Sequence, residues 1–217
     1  MAERQKHGLD FENWVRETFT TNAKAPKTAK WDIASPNYRG EYKDQLAIFA
    51  NRPVSIKTCQ GRSAIYFADA LRQYENTQEF LLIVGFYTTA GNAKVFHEIS
   101  VSIISPIKWH DLFAEITLSD EQEHLTAEQM GPLIVKFKGL VSDKNPHYND
   151  LRKMAKAEKK NLPRTEMRLN QKIGSDNKQR RLQCSLPYST FWSKFGFKGQ
   201  VYADGKARLW GVEVPKF

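Results

Sequence analysis

Hydrophobic positions recur along the chain with both a helical and an extended period, which predicts a mixed α/β protein. Phe11, Val15 and Phe19 lie four residues apart and predict an amphipathic helix over residues 7–20, with Asp10 as its cap. The run FLLIVGFYT is apolar throughout and has the length of a strand, which is typical of a strand covered on both faces. The expected architecture is a central mixed β-sheet flanked by helices.

Further elements follow from the same periodicities and from the turn residues between them. Strands are predicted at residues 30–34 and in QLAIFA, PVSIKTC, AKVFHEISV, EMRLNQKI and RRLQCSL. Residues 51–53 are expected to join QLAIFA and PVSIKTC as a hairpin, and Asp204 and Gly205 to turn a hairpin in the tail VYADGKARLWGVEV. Helices are predicted from residue 66 to about 75, in WHDLFAEI and in HYNDLRKMAKAEKKN.

The charge of the chain favours a polyanionic partner. The chain has 33 Lys and Arg against 24 Asp and Glu, a net charge of +9 and an isoelectric point near 9.5. Much of the excess lies in residues 147–183, which hold eleven Lys and Arg and four Asp and Glu. We therefore expect nucleic acid as the partner. Residues 1–120 would form the core, and residues 121–217 a basic DNA-recognition region packed on it within one continuous domain.

Thiols and apolar runs set the expected compartment. Cys59 and Cys184 stand alone, without the paired spacing of a metal or redox site. No apolar run approaches the roughly 20 residues that a membrane span needs. The first ten residues lack the apolar segment of a signal peptide. HExxH, Walker and GxGxxG motifs are also absent. We expect a cytoplasmic protein with reduced thiols and no membrane partner.

Lys57 in VSIKTC is the centre of the candidate chemistry. Side chains alternate along a strand, so Val54 and Ile56 should face the core while Ser55 and Lys57 face the other way. A lysine among apolar strands must reach water, a carboxylate or a substrate phosphate. The alternative is a surface lysine on an exposed sheet face.

Acidic residues upstream of Lys57 could complete a metal site. Asp32 lies in KWDI, as if at a strand edge, and Asp44 opens the strand expected to pair with that of Lys57. With a further acid, such a set could hold a hard divalent cation through oxygen ligands, and the metal would polarise a phosphodiester and activate a water. Glu12 lies at the border of the apolar face of the first helix, from which it could reach over a sheet edge.

The chain resembles the core of the PD-(D/E)XK nuclease superfamily, in particular type II restriction endonucleases. The resemblance rests on four segments in this order: FENWVRETF, WDI, PVSIKTC and ADALRQYE. The resemblance covers about residues 7–100. It implies a metal-bound active site on a central mixed sheet, with Asp32 as the motif aspartate, Lys57 as the motif lysine and Glu12 as the first-helix glutamate. Mg²⁺ is the implied cofactor.

Two positions depart from the pattern of this family. Trp31 precedes the aspartate where a proline is usual, and Ser55 stands at the catalytic position where a second acid is usual. In some members the following helix supplies that acid, a role that Asp69 or Glu75 could fill. The candidate metal-binding residues are Asp32, Ile56, Asp69 and Asp44, with Asp32 preferred over Asp44.

The stretch KIGSDNKQRRLQCSL resembles a segment that meets DNA in several restriction enzymes. Arginine is suited to guanine and Asn or Gln to adenine in the major groove, while lysines hold phosphates. The alternative is an ordinary solvated turn between two strands. The candidate DNA-binding residues are Lys172, Asn177, Lys178, Gln179, Arg180, Arg181 and Gln183.

The sequence therefore predicts a type II site-specific endonuclease that hydrolyses double-stranded DNA with Mg²⁺, as a homodimer matching a palindromic site. A structure-specific repair nuclease or resolvase is one alternative. A non-catalytic DNA-binding protein on a nuclease-like fold is the other, and Ser55 in place of an acid keeps it open.

Overall fold

A computed structural model describes residues 3–24, 26, 29–117, 124–143, 147–174, 179–196 and 205–217. By their contacts the residues divide into two compact units. The first unit comprises Met1–Ile65, Gln78–Ser105 and Phe191–Phe217, and the second comprises Tyr66–Thr77 and Pro106–Thr190. This grouping differs from the boundary expected at residue 120, because the C-terminal stretch groups with the N-terminal one.

The described residues form a mixed α/β protein in which a multi-stranded sheet is flanked by helices. The helices are α1 (Glu3–Phe19), α2 (Gly40–Lys43), α3 (Ala70–Tyr74), α4 (Pro106–Asp111), α5 (Ala127–Ser142), α6 (Tyr148–Asn161) and α7 (Tyr188–Lys194). The strands are β1 (Val54–Gln60), β2 (Ile65–Asp69), β3 (Phe80–Ala90), β4 (Ala93–Ile104), β5 (Arg168–Ile173), β6 (Arg180–Leu186), β7 (Arg208–Leu209) and β8 (Val212–Glu213).

The first unit is built on a three-stranded mixed sheet with the order β1-β3-β4. β1 runs parallel to β3, with Val54 beside Leu81 and Lys57 beside Val84, and β4 runs antiparallel to β3. The side chains of β3 are buried over its first eight residues, as its continuous apolar sequence predicts. Because β1 lies at the edge, one row of its main-chain groups is open to residues outside the sheet.

Helix α1 packs on this sheet through its apolar stripe. Phe11, Val15 and Phe19 are at most 1% exposed, and they cluster with Val54 and Ile56 of β1. Burying one such side chain contributes roughly 1.5–3 kcal/mol, so the stripe holds α1 firmly over the edge strand. The polar residues at the border of the stripe are thereby placed beside β1.

The hairpin β7–β8 completes the first unit. Its two-residue turn is Trp210-Gly211, both with positive φ (49° and 89°). The turn predicted at Asp204 and Gly205 is not tested, because Asp204 lies outside the described residues. The indole of Trp210 packs edge-on against Phe19, with 4.8 Å between ring centroids.

The second unit is organised around the sheet β2-β6-β5 and helices α3 to α6. Leu182, Cys184 and Leu186 of β6 are fully buried, as are Leu151 and Ala155 of α6. The basic residues of α6 therefore lie on its other faces, as the predicted amphipathic helix requires.

The sequence predictions for α1, β1, β3, β4, α6, β5 and β6 are confirmed, apart from shifts of a few residues at their ends. Asp10 does not cap α1, because the helix already begins at Glu3. The predicted strand QLAIFA is wrong. Its residues form a 3-10 helix at Ala47–Phe49, with Leu46 buried and Ile48 63% exposed. The expected hairpin with β1 therefore does not exist, and β1 pairs with β3 instead.

Three other predictions need correction. The helix expected from residue 66 begins only at Ala70, because Ile65 and Phe67 are buried in β2 while Tyr66 points to solvent. The strand expected at residues 30–34 is a single antiparallel bridge between Ile33 and Val54. The helix expected in WHDLFAEI is α4, which starts and ends earlier.

Among the described residues, no helix combines the length and the apolar character needed to cross a membrane.

Candidate active site at the edge of the first sheet

Residues 31–33 lie along the free edge of β1. The amide of Asp32 donates to the carbonyl of Val54 at 3.0 Å, and the amide of Val54 donates to the carbonyl of Ile33 at 2.8 Å. Trp31 packs against Phe80, with ring centroids 5.0 Å apart. These contacts hold the side chain of Asp32 next to the following residues of β1.

Asp32 and Lys57 form an ion pair at this edge. Nζ of Lys57 lies 3.0 Å from Oδ2 of Asp32, and the same oxygen accepts the amide N–H of Ile56 at 2.5 Å. The ammonium also donates to the carbonyl of Ile56 at 2.8 Å. The two side chains are 22% and 24% exposed, so the pair is shielded but still reachable from solvent.

Glu12 on α1 interacts electrostatically with this pair. Burial raises the pKa of the Glu12 carboxyl above its ordinary value of 4.5, and the negative charge of Asp32 raises it further. Lys57 and Arg16 act in the opposite direction. Each of the two carboxylates thus faces a cation, Lys57 for Asp32 and Arg16 for Glu12.

Arg16 is a buried charge near the site that the sequence analysis did not single out. It is 4% exposed, and its Nη1 lies 3.6 Å from Oε1 of Glu12. Its Nη2 donates to Oδ1 of Asn13 at 2.7 Å. A Glu and an Arg four residues apart usually form a solvent-exposed pair on a helix. The Glu12–Arg16 pair differs from such a pair only because α1 packs so that Arg16, next to the buried Val15, is itself buried. The sequence alone therefore gives little indication of its burial.

Ser55 stands on β1 two residues before Lys57 and is 8% exposed. Side chains two residues apart on a strand share a face, so Ser55 and Lys57 lie on the same side of β1. Ser55 contributes no carboxylate there.

Three other acids that the sequence offered as ligands have different surroundings. Asp44 is exposed in the turn after α2, so it does not open a strand beside β1. Asp69 belongs to the second unit, where it caps α3 through the amide of Arg72 at 3.2 Å and pairs with Nζ of Lys138 at 2.9 Å. Glu75 ends α3 and is exposed.

Comparisons of the chain with protein-family models, with curated proteins and with solved structures found no match. The chemistry of the site must therefore be judged from its own residues. Within the described ranges, no group of three or more His, Cys, Asp or Glu side chains is placed to hold a metal ion. Candidate oxygen ligands near this edge include the carboxylates of Asp32 and Glu12 and the carbonyl of Ile56.

Candidate DNA-binding residues share one face of β5 and β6. Antiparallel pairing sets Lys172 beside Arg181 and Asn170 beside Gln183, so these four side chains point the same way. Arg181 is exposed, while Lys172 and Gln183 are half-buried. Nζ of Lys172 lies 5.3 Å from the ring centroid of Tyr66, which is 51% exposed. The face combines cations, amides and an aromatic ring.

Other residues of the predicted segment behave differently. Arg180 donates from Nη1 to the carbonyl of Asp143, at the end of α5. Gln179 is exposed, and its carbonyl accepts the amide N–H of Gly174 at 2.8 Å. Asn177 and Lys178 lie outside the described residues.

Proposed function

We propose that this chain is a Mg²⁺-dependent endonuclease of the PD-(D/E)XK type that hydrolyses phosphodiester bonds in double-stranded DNA, and that it acts as a type II restriction enzyme. The observation that carries this proposal is the ion pair of Lys57 with Asp32 at the edge of β1. The carboxylate of Glu12 interacts electrostatically with both residues of this pair. In metal-assisted phosphodiester hydrolysis, such an acid would bind the metal ion and such a lysine would stabilise charge on the phosphate.

The oxygen atoms of the site are suited to Mg²⁺. This ion is commonly held by one or two carboxylates, with waters and substrate phosphates completing its shell. Asp32, Glu12 and the carbonyl of Ile56 would be its protein ligands. Burial, followed by the negative charge of Asp32, raises the pKa of Glu12, and a bound cation would relieve the repulsion between the two carboxylates. The ion would polarise the scissile phosphate and lower the pKa of a water molecule.

Lys57 would bind and neutralise the substrate phosphate. Its ammonium has three hydrogens, and the described residues supply two acceptors, Asp32 Oδ2 and Ile56 O. A third donor is left for a phosphate oxygen. Asp32 is fixed by the amide of Ile56, so its orientation does not depend on the substrate.

The basic segment would bind the DNA, with the core of the first unit as the restriction-endonuclease-like part. Arg152, Lys153 and Lys156 lie on one exposed face of α6, where they would contact phosphates. Arg181 and Gln183 would read base edges. A homodimer would present two copies of both regions to a palindromic site.

One observation favours a second candidate, a non-catalytic DNA-binding protein. Oδ2 of Asp32 already accepts two hydrogen bonds from β1, so the pair with Lys57 would also serve to close the sheet edge. Ser55 in place of an acid agrees with this alternative. A structure-specific repair nuclease or resolvase would use the same residues as the restriction enzyme and would differ in its substrate.

The deciding experiment incubates the protein with long duplex DNA of known sequence and Mg²⁺ or Mn²⁺, with EDTA as the blank. Discrete fragments support the restriction enzyme, and cleavage confined to branched DNA supports the resolvase. Specific binding without cleavage in either metal contradicts the nuclease. Asp32→Asn should abolish cutting, whereas the matched control Asp44→Asn, an exposed aspartate in the same unit, should cut normally.

A further inference from the structure

A pocket of about 590 Å³ lies in the second unit beside the C-terminal end of α6. This volume is within the range of small-molecule binding sites, roughly 300–1,000 Å³. One part of the wall is apolar or uncharged, and the other is cationic. The described lining residues are Ile116, Leu162, Pro163, Leu169 and Thr165, together with Lys159, Arg164 and Arg168.

The three cations of the pocket are not neutralised by the described residues. None of them forms an ion pair there, and no acid is among the described lining residues. Burial, followed by the positive charge of Arg168, lowers the pKa of the Lys159 ammonium. Cations that repel each other around a concave surface would be stabilised by a bound anion.

The two parts of the wall specify the chemistry of that anion. Guanidinium groups match the oxygen geometry of a phosphate and bind it with paired hydrogen bonds, while lysine adds a point charge. Ile116 is 41% exposed, and Leu162 and Pro163 are half-buried, so inorganic phosphate alone would leave them in contact with water. A ligand with an apolar or aromatic body would cover them and gain the corresponding hydrophobic free energy.

We propose that this pocket binds a phosphate monoester with an aromatic or apolar body, of the size of a nucleoside monophosphate. The ligand would be either a free nucleotide or the terminal nucleotide of a DNA strand, which share this chemistry. The site is independent of the proposed nuclease function, because its described lining includes none of the residues assigned to cleavage.

Calorimetric titration of the full chain with adenosine monophosphate, adenosine and inorganic phosphate at constant ionic strength tests the proposal. We expect the monophosphate to bind, and each of the two part-ligands to bind at least about 10-fold more weakly. Failure of the monophosphate to bind at millimolar concentration would overturn the proposal, as would equal affinity for inorganic phosphate. The titration measures binding and not cleavage, so a failure here is distinct from a failure of the nuclease assignment.

Variants locate the binding within the molecule. Arg168→Gln should lower the affinity for the monophosphate by about 10-fold or more, because a charge-assisted hydrogen bond is lost. Arg62→Gln removes the same charge from an exposed turn of the first unit and should change the affinity little. Equal losses in the two variants would mean non-specific attraction and would contradict the proposal.

A second pair of ligands identifies the source of the phosphate. The ligands are duplex oligonucleotides with a 5′-phosphate or a 5′-hydroxyl. Preference for the phosphorylated end, lost in Arg168→Gln, supports a strand terminus as the ligand. Binding of the free monophosphate without such a preference supports a free nucleotide.

Discussion

Replacing Lys57 by Met separates the catalytic from the structural role of the Asp32–Lys57 pair. Met retains an apolar stem of similar length, but the two hydrogen bonds from Nζ to Asp32 and to the carbonyl of Ile56 are lost. A hydrogen bond to a charged group contributes about 1.5–3 kcal/mol, and partial exposure of both side chains reduces its share. We expect the free energy of unfolding to fall by about 2 kcal/mol, and cleavage to fall at least about 100-fold.

The matched control is Arg52→Met, which breaks another short ion pair of the first unit, between Arg52 and Glu79 at 2.6 Å. That pair is more exposed, so we expect a loss of about 1 kcal/mol or less and normal cleavage. Urea unfolding measures the stabilities, and single-turnover cleavage, well below the unfolding temperature, measures the rates. If Lys57→Met cuts DNA at the wild-type rate while losing stability, Lys57 only closes the edge of the sheet and the proposed mechanism is wrong.

Three further predictions concern Glu12, position 55 and the face of β5 and β6 that carries Arg181. In EDTA, Glu12→Gln should become more stable relative to the wild type as the pH rises from 4.5 through the raised pKa of Glu12, because only the wild type must ionise a half-buried carboxyl. Thermal unfolding at several pH values measures this difference in stability. A difference that does not change with pH would contradict the prediction. Without metal, Ser55→Asp should unfold at a lower temperature than the wild type, because it buries a charge. Mg²⁺ should raise the unfolding temperature of this variant by more than it raises that of the wild type. Equal increases would place position 55 outside the metal site. Arg181→Ala should reduce the binding free energy for the preferred DNA site by roughly 1–3 kcal/mol, and that for scrambled DNA by much less. Arg180→Ala should mainly lower the unfolding temperature, because Arg180 bonds to the carbonyl of Asp143. If Arg181→Ala weakens binding to both DNAs equally, Arg181 contacts a phosphate and not a base.

The elements that sequence reasoning predicted well are those with an unambiguous period. β3 is apolar without interruption, and α1 repeats its apolar residues every four positions. The strand predicted for QLAIFA is wrong because Leu46 is its only buried residue, while Phe49 is half-buried against Trp210. Asn51, with a φ of 65°, then turns the chain before Pro53. Helix α5 was not predicted, although Thr126 and Gln129 form the capping box that marks its start.

The candidate site was predictable in its parts but not in its arrangement. Asp32 and Asp44 could not be separated by spacing, because the choice depended on a hairpin that does not form. Pairing of residues 31–33 with Val54 is a tertiary contact with no local signal, and it decides which aspartate meets Lys57. The burial of Arg16 likewise depends on how α1 packs, which periodicity indicates only approximately.

The contacts of residues 205–217 have a consequence for how the first unit folds. Lys94 exchanges two main-chain hydrogen bonds with Phe217, of 2.7 and 3.3 Å, and Trp210 packs against Phe19 on the helix that carries Glu12. Contacts so distant in sequence form late, because a long loop must close first. The first unit would therefore reach its full stability only after these residues had docked on β4 and α1.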